Sequence, residues 1–319
     1  MNSSTSSSNH RAVWGVVFGV ALLLCLLEVF TRTVLYRMST DFARFPGYLG
    51  QAVALSQSAG LRVALIGNSA TEEGVDQAAL ASLLSQGRQG PTDVTIFTAD
   101  SSEIITWRAM ATDLFWRHGT QPDAIVVTFF GHDLEDSASV ELGRVAQFFT
   151  RVQDWPDLFS NELTGVPTRV EFMVASVWGT YAARERLKQR VLNVVVPGFR
   201  QYEPRLNDLS RRYGPHGGAT AARPAASYRA LDRLLETAQA RGVQMVLVAF
   251  PRNGAPTVID PAIETLAARR GAKVLDMQPL SHIPPEQYSD SIHLTRAGRE
   301  VYTDLFGRAL APHLVARKQ

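Results

Sequence analysis

Cysteine is almost missing from this chain: Cys25 stands alone, inside an apolar stretch near the N-terminus. One cysteine excludes an intrachain disulfide and any metal site built on thiolates, and it does not exclude an oxidising compartment. Net charge is also scarce. The formal balance is +2 over 319 residues. Arginine far outweighs lysine, but the arginines are scattered, so no basic patch argues for nucleic acid as a partner. Internal repeats are absent. No group of His, Asp or Glu has metal-ligand spacing, and neither a metal nor a cofactor is implied. What is present is apolar: 45% of the residues are hydrophobic, enough at this length for one large domain or two small ones with ample core.

Residues 1–11 form a Ser/Asn-rich tail, expected to be disordered. Residues 12–30 then read AVWGVVFGVALLLCLLEVF, close to the ~20 residues a membrane-spanning helix needs. The run is longer than a signal-peptide core and no small-x-small cleavage site follows it, so an uncleaved signal anchor is expected. A buried core helix fits less well, because no face of the run is polar. Glu28 falls near its far end, where a carboxylate can reach the interface. Orientation is open on charge alone. Arg32, Arg37 and Arg44 after the run favour a cytoplasmic C-terminus, whereas a short tail ahead of a single span favours the opposite topology.

Beyond a connector at residues 31–60, apolar runs with the composition of buried strands alternate with amphipathic segments. Strands are expected at 62–66, 93–97, 124–130, 243–250 and 273–276. Helices are expected at about 75–84, 104–117, 226–241, 261–270 and 296–314, the last capped by Thr295. Alternation of this kind argues for a parallel sheet covered on both faces. Residues 140–225 interrupt the pattern with helical stretches (140–152 and 169–191), a charged stretch at 205–212 and a Gly/Ala/Pro loop at 214–226. They read as an insertion packed on a main domain of residues 61–317, where it could cover a site. Its aromatic residues (Phe148, Phe149, Trp155, Phe159, Phe172, Trp178, Tyr181) fit a core better than a ligand platform.

In an open parallel sheet the reactive groups gather at the carboxyl ends of the strands. Ser69 follows the first expected strand in Gly67-Asn68-Ser69, where a helix start leaves backbone N–H groups without helical partners. A plain structural reading competes here, because Ser69-x-x-Glu72 also matches a capping box. Acyl transfer needs a nucleophile, a base, a group to orient the base, and donors for the oxyanion. Ser69 can be the nucleophile. His293 can be the base, and Asp290, three residues earlier, can orient its ring. His118, His216, His282 and His313 lack such a partner at that spacing.

The order Gly67-Asn68-Ser69 … Asp290-Ser291-Ile292-His293-Leu294, followed by Thr295-x-x-Gly298, resembles the SGNH/GDSL hydrolase superfamily, with Asn in place of the Asp of its Gly-Asp-Ser motif. The resemblance covers Leu61 to the C-terminus apart from 140–225. It implies a three-layer α/β/α domain with a mostly parallel five-stranded sheet, flavodoxin-like in outline, and a Ser69-His293-Asp290 triad. It also implies an oxyanion hole from the backbone N–H groups of Ser69 and Ser102 together with His132. Two places depart from the pattern. The turn Asp100-Ser101-Ser102 lacks the family's glycine, and His132 stands in Phe130-Gly131-His132-Asp133 where the family has asparagine. A backbone N–H survives the first change, and an imidazole N–H can replace the second in a tautomer-dependent way.

Membrane-tethered relatives of that family often act on acylated envelope polysaccharides. The resemblance therefore implies an O-acetyl esterase or O-acetyltransferase on the inner membrane, single-pass, with the domain in the periplasm. Implied partners are the membrane, an acylated carbohydrate and a membrane acyltransferase. Two other readings stay open: a weak or inactive domain that binds glycan or such an acyltransferase, and a membrane-anchored lipase. An α/β-hydrolase elbow is excluded, since Gly-x-Ser-x-Gly would need glycine where Thr71 stands.

Overall fold

The computed structural model describes residues 6–136, 141–199, 226–254 and 258–314. The charged stretch at 205–212, most of the Gly/Ala/Pro loop and His216 lie outside them. The chain divides into two compact units: Met1–Ala43, Leu142–Gln147 and Val170–Ala225 form one; Arg44–Glu141, Phe148–Arg169 and Ala226–Gln319 form the other.

In chain order the main elements are α1 (Ser6–Phe30), α2 (Thr40–Ser56), β1 (Leu61–Gly67), α3 (Ser69–Gly74), α4 (Gln77–Arg88), β2 (Thr92–Thr98), α5 (Ile104–Ala111) and β3 (Ala124–Phe129). They continue with α6 (Val166–Val177), α7 (Gly179–Ala182), α8 (Arg184–Val195), α9 (Arg229–Ala240), β4 (Gln244–Ala249), α10 (Pro261–Arg269), β5 (Lys273–Asp276) and α11 (Arg296–Leu310). The five strands form one sheet in the order β2-β1-β3-β4-β5, and every pairing is parallel. Each expected strand is found to within one residue at either end.

Alternation along the strands divides the core. Val63 and Leu65 of β1, with Val94, Val126, Val246 and Val248, pack with Leu80 and Leu84 of α4 and with Tyr302, Phe306 and Leu310 of α11. Burying an apolar side chain of that size stabilises by about 1.5–3 kcal/mol, and Leu310→Ala would cost about 2–5 kcal/mol. The opposite face carries Phe97, which meets Phe115 edge-on at 5.4 Å and Tyr48 of α2 likewise at 5.4 Å. Thr295 caps α11, its hydroxyl accepting from Gly298 N at 3.2 Å, as the sequence suggests.

Four expectations change. Ser69 caps nothing: Asn68 is the N-cap of α3, with Oδ1 accepting from Ala70 N at 3.1 Å. Glu72, the partner in the supposed capping box, instead accepts from the Thr98 hydroxyl at 2.7 Å and pairs with Arg44 at 3.1 Å. The helix expected at 75–84 is α4, starting at Gln77 with Asp76 as its cap, and a separate short helix, α3, precedes it, ended where Val75 turns to extended backbone (φ −122°, ψ 128°). The stretch 169–191 likewise breaks at Trp178 and Ala183 into α6, α7 and α8. The connector at 31–60 is largely helical, through α2.

In the other unit, the helical stretch Ala12–Met38, which begins in α1 and continues past its end, is 27 residues with a mean hydropathy of 2.5, long and apolar enough to cross a membrane. Helix begins at Ser6, inside the stretch read as a polar tail. Asp41 is buried there against Arg144 at 3.2 Å and Arg186 at 3.0 Å, so its charge is compensated where water cannot reach it.

Candidate active site

β1 and β3 are neighbours, but the chain leaves β1 toward β2 on its other side. This reversal opens a crevice beyond their carboxyl ends. Gly67 closes β1, and only glycine fits: a Cβ there would overlap the hydroxyls of Thr71 and Thr128. The tight corner brings Ser69 to the first position of α3.

Ser69 Oγ lies 2.8 Å from His293 Nε2, although 224 residues separate them. His293 Nδ1 lies 2.7 Å from Asp290 Oδ2. The three side chains thus form one hydrogen-bonded line. With Nδ1–H donating to the carboxylate, Nε2 is left to accept from the serine hydroxyl.

The Asp-x-x-His spacing works because the loop is knotted to itself by short hydrogen bonds. Asp290 Oδ1 accepts from the backbone N–H of Ile292 and of His293, each at 2.8 Å. Tyr288 and Leu294 make an antiparallel bridge beneath the loop, and Ser289 N donates to His293 O at 2.9 Å. Asn253 N, from the loop after β4, donates to Ser291 O at 3.1 Å. Burial works to raise the Asp290 carboxyl. The hydrogen bond to His293 and the two backbone donors outweigh it and hold the group below the ordinary carboxylate range, so it stays ionised beside the imidazole.

Ser102 stands between β2 and α5, beside the end of β1. Its hydroxyl is committed inward, donating to Gly67 O at 3.3 Å and accepting from Trp107 Nε1 at 2.7 Å. Ser101 takes the left-handed conformation (φ 51°) that the family's glycine would adopt without cost. Neither Ser69 nor Ser102 has a hydrogen bond from its backbone N–H among the described residues.

His132 sits in the turn after β3, where Gly131 is left-handed (φ 59°). Its ring is 59% exposed and Nδ1 is bonded to the Glu135 carboxylate. A ring that gives its Nδ1 proton to Glu135 can donate from Nε2 only as the imidazolium.

The same turn carries groups that the sequence did not single out. Asp133 Oδ2 accepts from Asn68 Nδ2 at 3.3 Å and from Phe130 N at 3.1 Å. The carbonyl of Asp133 accepts from Ile104 N at 2.9 Å. Asn68 therefore caps the helix that begins at Ser69 with one amide atom and grips the β3 turn with the other. Burial drives the Asp133 carboxyl up to about 7, against the pull of the Phe130 N–H, Arg252 and Asn68. Glu103, which precedes α5, is pushed up to about 8 by burial and by the Asp133 charge, and its Oε2 is buried without a hydrogen-bond partner. One sequence signal pointed here: Asn is among the best N-cap residues at a strand-to-helix corner.

The parallel sheet order, the serine at the end of β1 and the Asp-x-x-His loop before the last helix define an SGNH/GDSL-like α/β fold. No family model matches the chain, and no curated protein sequence matches it. Among solved structures, it is similar to an alpha/beta hydrolase enzyme from the metagenome of Lake Arreo, Spain (16% identity, 82% of this chain and 100% of that one, TM-score 0.39). It is also similar to a lipolytic protein of the G-D-S-L family from Desulfitobacterium hafniense (12%, 78% and 98%, TM-score 0.35). A third is a lipase/acylhydrolase from Enterococcus faecalis (11%, 81% and 98%, TM-score 0.35). At such identities and scores the likeness carries nothing about this chain's chemistry, which rests on its own residues.

Proposed function

We propose that the α/β unit is a serine esterase or O-acyltransferase, with Ser69 as nucleophile, His293 as general base and Asp290 as the group that orients it. The observation that carries this reading is the unbroken line Ser69 Oγ–His293 Nε2–Asp290 Oδ2, at 2.8 and 2.7 Å. His293 takes the Ser69 proton as Oγ bonds to the ester carbonyl carbon, and the carbonyl oxygen becomes an oxyanion. The N–H groups of Ser69 and Ser102 receive that charge, with His132 adding a donor when its ring is cationic. The intermediate then collapses, and the departing alkoxide takes the proton from His293. Water or an acceptor hydroxyl next gives its proton to His293 as it attacks the acyl carbon; the acyl–Oγ bond then breaks and Ser69 Oγ takes that proton back from His293.

The substrate we propose is an O-acetyl group on an envelope or exported polysaccharide. The domain would be tethered outside the inner membrane by α1 and would work beside a membrane acyltransferase. This follows from the anchor reading of α1 and the family resemblance of the two motifs. The full chain in detergent should hydrolyse p-nitrophenyl acetate, and Ser69→Ala should abolish turnover. Equal turnover by the two proteins would sink the proposal. The second reading, a weak or inactive glycan-binding domain, is favoured by one observation: His132 stands in the asparagine position with its ring turned to Glu135 and largely exposed. Glycan binding without turnover of any ester would decide for it.

A further inference from the structure

The unit that contains α1 holds an apolar groove of about 480 Å³. One wall is the membrane-type helix itself, at Leu24 and Leu27; the other is built by Tyr181, Leu187, Val191 and Leu192. Arg184 and Lys188 of α8 line it as well.

Its depth follows from how α7 is fastened. Glu28 reaches the start of α7, with Oε1 accepting from Gly179 N at 2.8 Å and Oε2 from Thr180 N at 2.8 Å and its hydroxyl at 2.9 Å. Gly179 permits this approach, since a Cβ there would lie 2.8 Å from the Tyr36 hydroxyl and 3.0 Å from Glu28 Oε1. Leu24 and Leu27 lie on the N-terminal side of that clamp, toward the middle of the apolar run. Residues 12–27 of α1 rise only about 24 Å, whereas a bilayer's hydrocarbon core is about 30 Å thick. A hydrocarbon layer that begins at Ala12 would therefore reach Leu24 and Leu27 and open the groove to acyl chains.

The helices around it have the composition of a membrane-surface element. Along α8, Leu187, Val191 and Val194 share one stripe with Arg184 and Lys188, and the helix holds four basic residues against one carboxylate, Glu185. Val194 is 85% exposed; at the end of α6, Val177 is 77% exposed and continues a stripe with Val170 and Val174. Arg186 and Arg190 face the protein, bonding Ser39 Oγ (3.0 Å) and Met38 O (2.7 Å). Lys188, by contrast, is 68% exposed, with Glu185 at 3.6 Å. A basic amphipathic helix with exposed valines beside a membrane span lies in the headgroup boundary.

We infer that α8 and the end of α6 are seated in the bilayer surface, and that the groove between α1 and α8 holds the acyl chain of an anionic phospholipid whose headgroup meets Lys188, Arg184 being held by Glu171 and the Tyr181 carbonyl (3.0 Å). This rests on α1 being a membrane span and is independent of the esterase reading.

The test uses the full chain with Cys25→Ala, in nanodiscs of phosphatidylcholine with or without phosphatidylglycerol. Nitroxides are placed in turn at Val194→Cys, Val177→Cys, Val17→Cys in α1, and Arg296→Cys in the α/β unit. Val194, Val177 and Val17 should collide more with oxygen than with a water-soluble nickel chelate, and Arg296 the reverse. Phosphatidylglycerol retained through delipidation should fall about fivefold or more in Lys188→Glu and by less in Lys188→Gln. Lipid-like Val17 with water-like Val194 and Val177 would overturn the inference and leave the anchor standing. Water-like labels at all three would overturn the anchor as well. Unchanged phosphatidylglycerol retention in Lys188→Glu would remove the lipid site.

Discussion

Two segments flank Ser69, and they treat their carboxyl groups in opposite ways. In the loop after β5, Asp290 accepts three short hydrogen bonds and is held ionised next to His293. In the turn after β3, burial pushes Asp133 up to about 7, and burial with the Asp133 charge pushes Glu103, at the start of α5, up to about 8; the histidine of that turn leans outward to Glu135. The first arrangement is a charge organised for a proton relay. The second is a half-neutral cluster that holds backbone in place: Asp133 ties Asn68 and Phe130 N to the start of α5. On the proposed reading, side chains would do the proton transfer, while the oxyanion side would rely on backbone N–H groups next to that cluster.

The contrast breaks most sharply at the relay. His293→Ala should lower kcat by about 10⁴–10⁶-fold, and Asp290→Asn by about 10⁴-fold, since the amide permits the wrong tautomer. Both should leave the melting temperature nearly unchanged, because these side chains bear on no core. Single-turnover kinetics with p-nitrophenyl acetate measure the chemical step.

Asn68→Ala acts on both segments at once. Losing an N-cap costs about 1 kcal/mol of stability, and Asp133 is left with one donor fewer. Chemical denaturation should show the loss, and kcat should fall by about 10–100-fold as α3 shifts the nucleophile. An unchanged kcat would show that the grip on the turn does not position Ser69.

The pH dependence separates the two segments further. Between the ordinary carboxyl values near 4 and the raised values of about 7 and about 8, the folded chain binds protons that the unfolded chain has released. Stability from this pair is therefore complete at the acid end, falls as pH rises through that window, and levels off above it. Glu103→Gln should flatten the slope and raise the melting temperature at pH 8 relative to wild type. An unaltered slope would place the titrating group elsewhere.

The smallest effect is expected at His132. His132→Ala should lower kcat by at most about tenfold, because the ring is largely exposed and bonded to Glu135. A loss of about 10²–10³-fold, the cost of removing a full oxyanion donor, would instead make it an equal member of the hole.

How much of this could be read from the chain follows from how local each interaction is. Asp290 and His293 were legible because all the hydrogen bonds that shape their loop fall within a few residues. Ser69 was legible because a strand-to-helix corner shows in composition, and parallel topology then decides which corners meet. The Asn68–Asp133 link was not legible, since it joins residues 65 apart and exists only once β1 and β3 are neighbours in register. Glu103 looked like an ordinary helix-start carboxylate; only the buried Asp133 beside it gives it a different character. The capping box failed for a related reason. Asn68 was one residue closer to the extended backbone a cap requires, and Glu72 had Arg44 and Thr98 to bind instead.

The central claim is that the line Ser69–His293–Asp290 activates one serine. Labelling the full chain with a serine-directed phosphonate, followed by peptide mapping by mass spectrometry, tests it directly. An adduct on Ser69 is expected in the wild type, and its loss in His293→Ala. An adduct on a different serine, or undiminished labelling of Ser69 without His293, would contradict it.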